Sequence, residues 1–150
     1  MKSVAPTRYA ENRKARFEYE VLETFQGGLV LQGQEVKSIR TGGAKLDGSY
    51  LAISRGELWL IGAHIRKYAK TNNTEDYDPN QNRKVLVHKK ELAYLGEKIQ
   101  EKGLTLVPFS LYPSGNRIKV SFSVCRGRKT HDKREMLKNR DLERELQRNL

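Results

Sequence analysis

Apolar and polar residues alternate with a period of two along several short runs of this chain, which is the pattern of half-buried β-strands. The predicted strands lie at residues 17–21, 29–31, 49–54, 58–65, 85–87, 104–111 and 117–124. The turn signal Gln26-Gly27-Gly28 joins the first two runs and predicts a hairpin over residues 17–31. The third and fourth runs predict a second hairpin, which contains Trp59, and residues 112–116 form the turn between the last two. Pro108 predicts an edge or a bulge in its strand, because proline cannot donate to a ladder.

Two segments change to helical spacing. One is Gly33–Arg40, which Gly42-Gly43 closes, and the other is residues 89–102. Residues 1–16 predict a polar arm, and residues 66–83 predict one long polar loop.

Short strands separated by one short and one longer helix predict a mainly β fold. A small antiparallel barrel of the oligonucleotide-binding type fits this pattern and a length of 150 residues. The composition changes once, near Arg126, where the alternating runs end. We therefore expect one barrel domain over residues 1–127, with a short N-terminal arm, and a basic tail over residues 128–150.

The tail is rich in charge and poor in large apolar residues. Asp132 and Glu135 are spaced as in a capping box, so a helix can start there. On such a helix Arg140, Arg144 and Arg148 would repel one another along one face. We expect this tail to be disordered alone and to become helical on an anionic partner. The alternative is a solvated, frayed C-terminus.

Charge narrows the choice of partner. The formal net charge is +11 and the isoelectric point is near 9.8, which indicates a polyanion such as nucleic acid or an acidic membrane surface. No run approaches the roughly 20 apolar residues of a membrane span, and the N-terminus lacks an apolar signal segment. The single cysteine, Cys125, fits a reducing compartment, so we expect a cytoplasmic protein.

Catalytic signals are weak. The three histidines are far apart, and no phosphate-binding loop or nucleophile motif occurs, so we expect a protein that is not an enzyme and needs no cofactor or metal. One enzymatic alternative is a nuclease that would hold a divalent ion with Glu75, Asp76 and Asp78. What stands out instead is positive charge next to aromatic rings, since Arg and Lys neutralise phosphates and tyrosines stack on unpaired bases. The alternative for each tyrosine is a structural place in the barrel.

Five motifs resemble, in this order, those of the small protein B family, the SsrA-binding proteins of bacteria. They are Asn12-Arg13-Lys14-Ala15-Arg16, Gly33–Arg40, Asp78-Pro79 ahead of Arg83–Leu86, Gly103–Pro108 and Arg126–Glu135. The resemblance runs from about residue 9 to the end of the chain. It implies a monomeric barrel that binds the tRNA-like domain of transfer-messenger RNA, and a role in ribosome rescue by trans-translation. A general single-stranded RNA-binding or translation-factor-like barrel is the competing interpretation.

The resemblance also implies two sets of site residues. The RNA-contacting set is Asn12, Arg13, Tyr19, Gln26, Tyr50, Leu86 and Lys119. The set expected in the decoding centre and messenger channel of the small ribosomal subunit is Gly127, Arg128, Lys129, His131, Asp132, Lys133 and Arg134. Two positions depart from the family pattern, because Gln26 stands where Glu is usual and Leu142 stands where Trp is common.

Overall fold

The computed structural model describes residues 8–69 and 76–128, together with Arg140 and Arg144. Its strands are β1 (Ala10–Glu11), β2 (Tyr19–Leu29), β3 (Ala44–Lys45), β4 (Tyr50–Ser54), β5 (Glu57–Ile61), β6 (His64–Ile65), β7 (Arg83–Leu86), β8 (Leu104–Ser114) and β9 (Arg117–Gly127). Its helices are α1 (Arg13–Glu18), α2 (Gly33–Arg40) and α3 (Lys89–Lys98). The predicted fold class, mainly antiparallel β with short helices, is confirmed.

The strands form a closed antiparallel barrel. Their order is β1-β8-β4-β5-β7-β2-β9, and β9 also pairs with β8, which joins the two sides of the sheet. A separate two-stranded ladder joins β3 and β6. The long strands β2, β8 and β9 carry most of the pairing. Two of them have an irregularity, since β2 shifts register between Val21 and Glu23, and β8 shifts between Pro108 and Ser110. The predicted bulge at Pro108 is confirmed.

Inward-facing aliphatic side chains fill the barrel. Phe122, Leu60 and Val120 are fully buried at its centre. The two longer helices cover the barrel, since α2 contributes Ile39 and α3 contributes Leu95, and both side chains are fully buried in the same cluster. The barrel wall and its two helices therefore form one core. Burial of apolar surface in this core stabilises the fold by about 25 cal/mol for each Å².

The first predicted hairpin is wrong. Residues 26–28 are not a turn, because β2 runs unbroken through them and Gly27 pairs with Val120. Gly27 is needed for close approach, since a Cβ there would lie 2.5 Å from Cγ1 of Val85 on β7. The strand also begins later than predicted, because Phe17 lies in α1.

Other predicted boundaries also move. Gly62, with φ +81°, separates β5 from β6 within the run predicted over residues 58–65. Residues 8–16 are not a free arm, because Ala10 pairs with Leu111 and α1 follows at once. The helix predicted at Gly33–Arg40 is confirmed with the same bounds, and α3 is confirmed but ends at Lys98.

A buried ion pair fixes α2 and the loop before β7 to the barrel. Glu35 and Arg83 are each 2% exposed, and Oε2 of Glu35 accepts a hydrogen bond from Nε of Arg83 at 2.8 Å and forms an ion pair with Nη2, also at 2.8 Å. The other carboxylate oxygen, Oε1, accepts from the backbone N–H of Gln32 at 3.0 Å and so caps α2. Burial and the nearby Glu35 carboxylate raise the pKa of Tyr77, whose protonated hydroxyl donates to the carbonyl of Ile65 at 2.8 Å.

Candidate RNA-binding surface

Helix α1 presents basic side chains on the outside of the barrel. Asn12 sets its position: Oδ1 accepts from the N–H of Ala15 at 3.3 Å, and Nδ2 donates to the carbonyl of Pro108 at 3.0 Å. The side chains that follow are free to reach a ligand, since Arg13 is 86% exposed and Lys14 is 73% exposed. Their ion pairs with Glu11 and Glu18 are longer than 3.5 Å and open to water, so they hold these cations weakly.

The side chain of Asn12 is largely buried, and its expected direct contact with RNA stays a prediction. Its side chain is 3% exposed, and its amide is already used by helix α1 and by the barrel. The structure therefore places Asn12 beneath the surface, where it holds Arg13 and Lys14 in place.

Two tyrosines of the predicted set line one cleft. The Tyr19 cleft, of about 250 Å³, lies between α1 and the start of β4 and includes Lys14, Tyr19, Tyr50 and Thr105. Tyr50 is 46% exposed, whereas Tyr19 is half-buried against the small cluster around Cys125. Tyr19 therefore packs on the barrel and also lines the cleft, and its stacking on RNA stays a prediction.

Three other predicted residues meet at a second cleft. The Lys119 cleft, of about 650 Å³, is lined by Gln26 on β2, Leu86 on β7 and Lys119 on β9. The register brings them together, since Gly28 pairs both with Lys119 and with Leu86. Leu86 is 51% exposed, which is unusual for a leucine and offers an apolar contact to a ligand.

Sequence reasoning missed one residue and one grouping of residues near these clefts. Arg117 lines the Lys119 cleft, and its position two residues before Lys119 on the same strand face could have revealed it. Arg8, Arg16 and Arg128 line a further cleft of about 520 Å³ beside Tyr19. Arg8 and Arg128 are far apart in the sequence, so only the folded barrel shows that they share this cleft.

The structure describes two residues of the set expected in the ribosome, Gly127 and Arg128. Gly127 ends β9, and Arg128 is held against the barrel, with its backbone N–H donating to Glu18 at 2.8 Å and its Nε donating to the carbonyl of Tyr19 at 3.1 Å. The remaining members, Lys129, His131, Asp132, Lys133 and Arg134, lie outside the described residues, as does Leu142. Arg140 is helical, and its guanidinium carbon lies 4.6 Å from the ring centroid of Phe17. The expected disorder of the free tail stays a prediction.

The nuclease alternative gains no support from the geometry. Asp78 closes a local turn, because its Oδ1 accepts from the backbone N–H of Asn80 at 2.9 Å. Asp76 is exposed, and Glu75 lies outside the described residues. Within residues 8–69 and 76–128, no three His, Cys, Asp or Glu side chains come together as a metal site. None of the helices in these ranges is long and apolar enough to cross a membrane.

A basic antiparallel barrel with two clefts, each combining cations with an aromatic or apolar contact, defines a nucleic-acid-binding barrel protein. The family profile described as SmpB protein matches residues 9–150. The chain belongs to this family.

Individual relatives agree over nearly the whole chain. An SsrA-binding protein of Thermosynechococcus vestitus is 50% identical over 139 residues, which is 93% of this chain and 91% of that protein. An SsrA-binding protein of Oleidesulfovibrio alaskensis is 43% identical over 149 residues, or 99% and 96% of the two chains. A chain of the solved structure described as "tmRNA-SmpB: a journey to the center of the bacterial ribosome" is 41% identical with a TM-score of 0.68, covering 85% of this chain and 92% of that one.

Proposed function

We propose that this chain binds the tRNA-like domain of transfer-messenger RNA, the SsrA RNA, and delivers it to stalled ribosomes for trans-translation. The observation that carries the proposal is the match to SsrA-binding proteins over residues 9–150. The geometry supports it, because the two clefts offer the phosphate and base contacts that a folded RNA needs. We also propose that the chain acts in the cytoplasm, as a monomeric RNA-binding protein rather than as an enzyme.

The predicted RNA-contacting residues make different kinds of contact in this proposal. Arg13 and Lys119 neutralise phosphates, Tyr19 and Tyr50 stack on unpaired bases or riboses, and Leu86 makes an apolar contact. Gln26 offers a donor and an acceptor to RNA hydroxyls or amines. Asn12 contributes by positioning α1.

The first test is RNA specificity. The purified chain should bind a transcript of the tRNA-like domain much more tightly than an unstructured RNA of equal length and composition. Equal affinity for both would favour the general single-stranded RNA-binding alternative. Affinity should also fall with salt, with a slope of roughly 0.7–0.9 in log K per log salt for each phosphate neutralised.

Single substitutions test the phosphate contact and the stacking contact separately. Lys119→Ala should weaken binding and reduce the salt slope by about one contact, whereas Lys102→Ala, at an exposed lysine before β8, should leave both unchanged. Tyr19→Ala should weaken binding by about 1–3 kcal/mol. Full RNA affinity in a Tyr19→Ala protein that unfolds at lower temperature would assign Tyr19 to the barrel alone.

The second part of the proposal concerns the tail. We propose that the tail beyond Arg128 is disordered in the free protein and forms a helix in the messenger channel, where ribosomal RNA phosphates attract the arginine stripe. Truncation after Lys129 should leave RNA binding nearly intact and abolish tagging of stalled nascent chains. Glu at positions 140, 144 and 148 should do the same, and Lys at those positions should be milder. Wild-type tagging by the truncated chain would contradict this role.

A further inference from the structure

The outer face of the barrel carries an apolar surface that extends from the Tyr19 cleft to the Lys119 cleft and beyond both. It spans β4, β5, β7 and β2. The alternate residues Leu51, Leu58, Leu60 and Val85 face inward and are buried, so their neighbours along each strand face outward. Outward-facing Tyr50, Leu86 and Val30 are 46%, 51% and 48% exposed.

Trp59 lies in the middle of this face. Its register partners are Ala52 on β4 and Lys84 on β7. Val30 lies next to Lys84 just past the end of β2, because its N–H donates to the carbonyl of Lys84 at 3.0 Å. Its indole is only partly covered. A tryptophan held between a small alanine and a flexible lysine, and not enclosed in the core, keeps part of its ring open to a ligand.

Two predicted RNA contacts flank Trp59 on the same face. Tyr50 pairs with Ile61, two residues from Trp59 along β5, and Leu86 is two residues from Lys84 along β7. Neighbouring strands are about 4.8 Å apart and same-face residues on a strand are about 6.6 Å apart, so both contacts are about 8 Å from Trp59 in the sheet. One or two nucleotides that touch Tyr50 or Leu86 would therefore reach the indole.

The charge of this face fits RNA. Lys84 has a 37% exposed side chain, and its pair with Glu57 at 3.0 Å is open to water, so a phosphate can replace the carboxylate at little cost. Beyond β2, Lys119 continues the face, because it pairs with outward-facing Gly28. A basic rim around an aromatic centre is the arrangement that binds unpaired nucleotides, whereas a purely apolar face would suit a protein partner.

We propose that Trp59 is a stacking residue for an unpaired base of the bound RNA, with Lys84 at the adjoining phosphate. The inference rests on the proposed function and extends it to a face that links the two clefts. Stacking on an aromatic ring is tolerant of sequence, so this contact adds affinity and orientation rather than base identity.

The wild-type chain provides a direct measurement, because Trp59 is its only tryptophan. Titration with the tRNA-like domain of transfer-messenger RNA should quench the tryptophan emission, with a midpoint equal to the dissociation constant from gel shift. Trp59→Leu keeps apolar cover but has no ring, and it should weaken binding about 5- to 150-fold, the equivalent of one lost stacking contact. Trp59→Phe should recover most of the affinity.

A matched control is Tyr68→Leu, which removes a partly exposed aromatic ring that lies against Lys37 on α2 and lines none of the three clefts described above. It should bind RNA as the wild type does, and thermal unfolding should show that all variants are folded. The inference is wrong if RNA binds with full affinity while the emission is unchanged, or if emission is quenched and Trp59→Leu binds as tightly as wild type. Either result leaves the proposed function intact, whereas a wild-type chain that fails to bind the RNA in the gel shift overturns both.

Discussion

Replacement of Arg83 by Met should destabilise the barrel strongly, because it removes the cation from a buried carboxylate. Glu35 is 2% exposed, and its Oε2 would lose the hydrogen bond from Nε and the ion pair with Nη2 of the guanidinium, both at 2.8 Å. The carbonyl of Ala63, which accepts from Nη1 at 2.8 Å, would lose its partner as well. Methionine can occupy much of the space but cannot donate.

The size of the effect follows from the burial. Removal of one partner from a buried ion pair typically costs about 3–5 kcal/mol, most of it the penalty of the charge left behind. In a chain of this length each kcal/mol lowers the unfolding midpoint by roughly 2–4 °C, so Tm should fall by about 6–20 °C. Adding Glu35→Gln to Arg83→Met removes the uncompensated charge and should recover about 1–3 kcal/mol of this loss.

Urea unfolding monitored by the emission of Trp59 measures these free energies. Lys84→Met is the control, since the adjacent Lys84–Glu57 pair has a similar distance of 3.0 Å but side chains that are 37% and 42% exposed. That variant should lose no more than about 1 kcal/mol. If Arg83→Met costs no more than Lys84→Met, or if the double variant recovers nothing, the argument from burial is refuted.

Three further predictions address the rest of the barrel. Asn12→Ala should cost about 1–2 kcal/mol in urea unfolding, because it removes a helix cap and a buried hydrogen bond, whereas Asn12→Asp keeps the cap but buries a carboxylate against the carbonyl of Pro108 and should cost more. Gly27→Ala should cost about 1–3 kcal/mol in urea unfolding and weaken RNA binding, since its Cβ would meet Val85 and displace β7. Gly28→Ala, whose Cβ would lie no closer than 3.9 Å to its neighbours, should cost little in urea unfolding. Burial raises the pKa of the Cys125 thiol to about 12. Maleimide should therefore label Cys125 slowly in the native chain at pH 8 and rapidly in urea. Above the pKa of the unfolded thiol, the unfolded chain loses this proton while the folded chain keeps it, so the contribution of Cys125 to stability should fall from about pH 9 to pH 12.

The sequence predicted the elements whose signals are local. Helix α2 has the predicted bounds because its spacing and the following glycines act within a few residues. Gly27 and Gly28 misled the prediction of a hairpin, because glycine marks turns and close strand contacts alike. Only contact with Val85, far along the chain, distinguishes the two cases.

In the candidate site, too, some features could be predicted from the sequence and others depend on contacts between distant residues. The resemblance supplied Tyr50, Leu86 and Lys119, which the structure places on exposed strands or at a cleft. It gave no sign that Asn12 is buried, because that depends on the carbonyl of Pro108, which reaches Asn12 only in the folded barrel. Residue type and motif order predict which chemistry is present, whereas tertiary contacts decide which side chains remain free to perform it.

The anchoring of Arg128 gives the tail a fixed origin. Its two hydrogen bonds to the carbonyls of Glu18 and Tyr19 attach the chain beside the Tyr19 cleft. From that point a helix over residues 129–150 would reach about 33 Å, and the same residues fully extended would reach about 70 Å. A barrel held on its RNA would thus confine the tail to a small volume and raise its effective concentration at any site within that radius. Each residue inserted after Arg128 would lengthen a helical tail by about 1.5 Å and shift every later contact by that distance. The number of residues after Arg128 therefore sets how far from the barrel each part of the tail can bind.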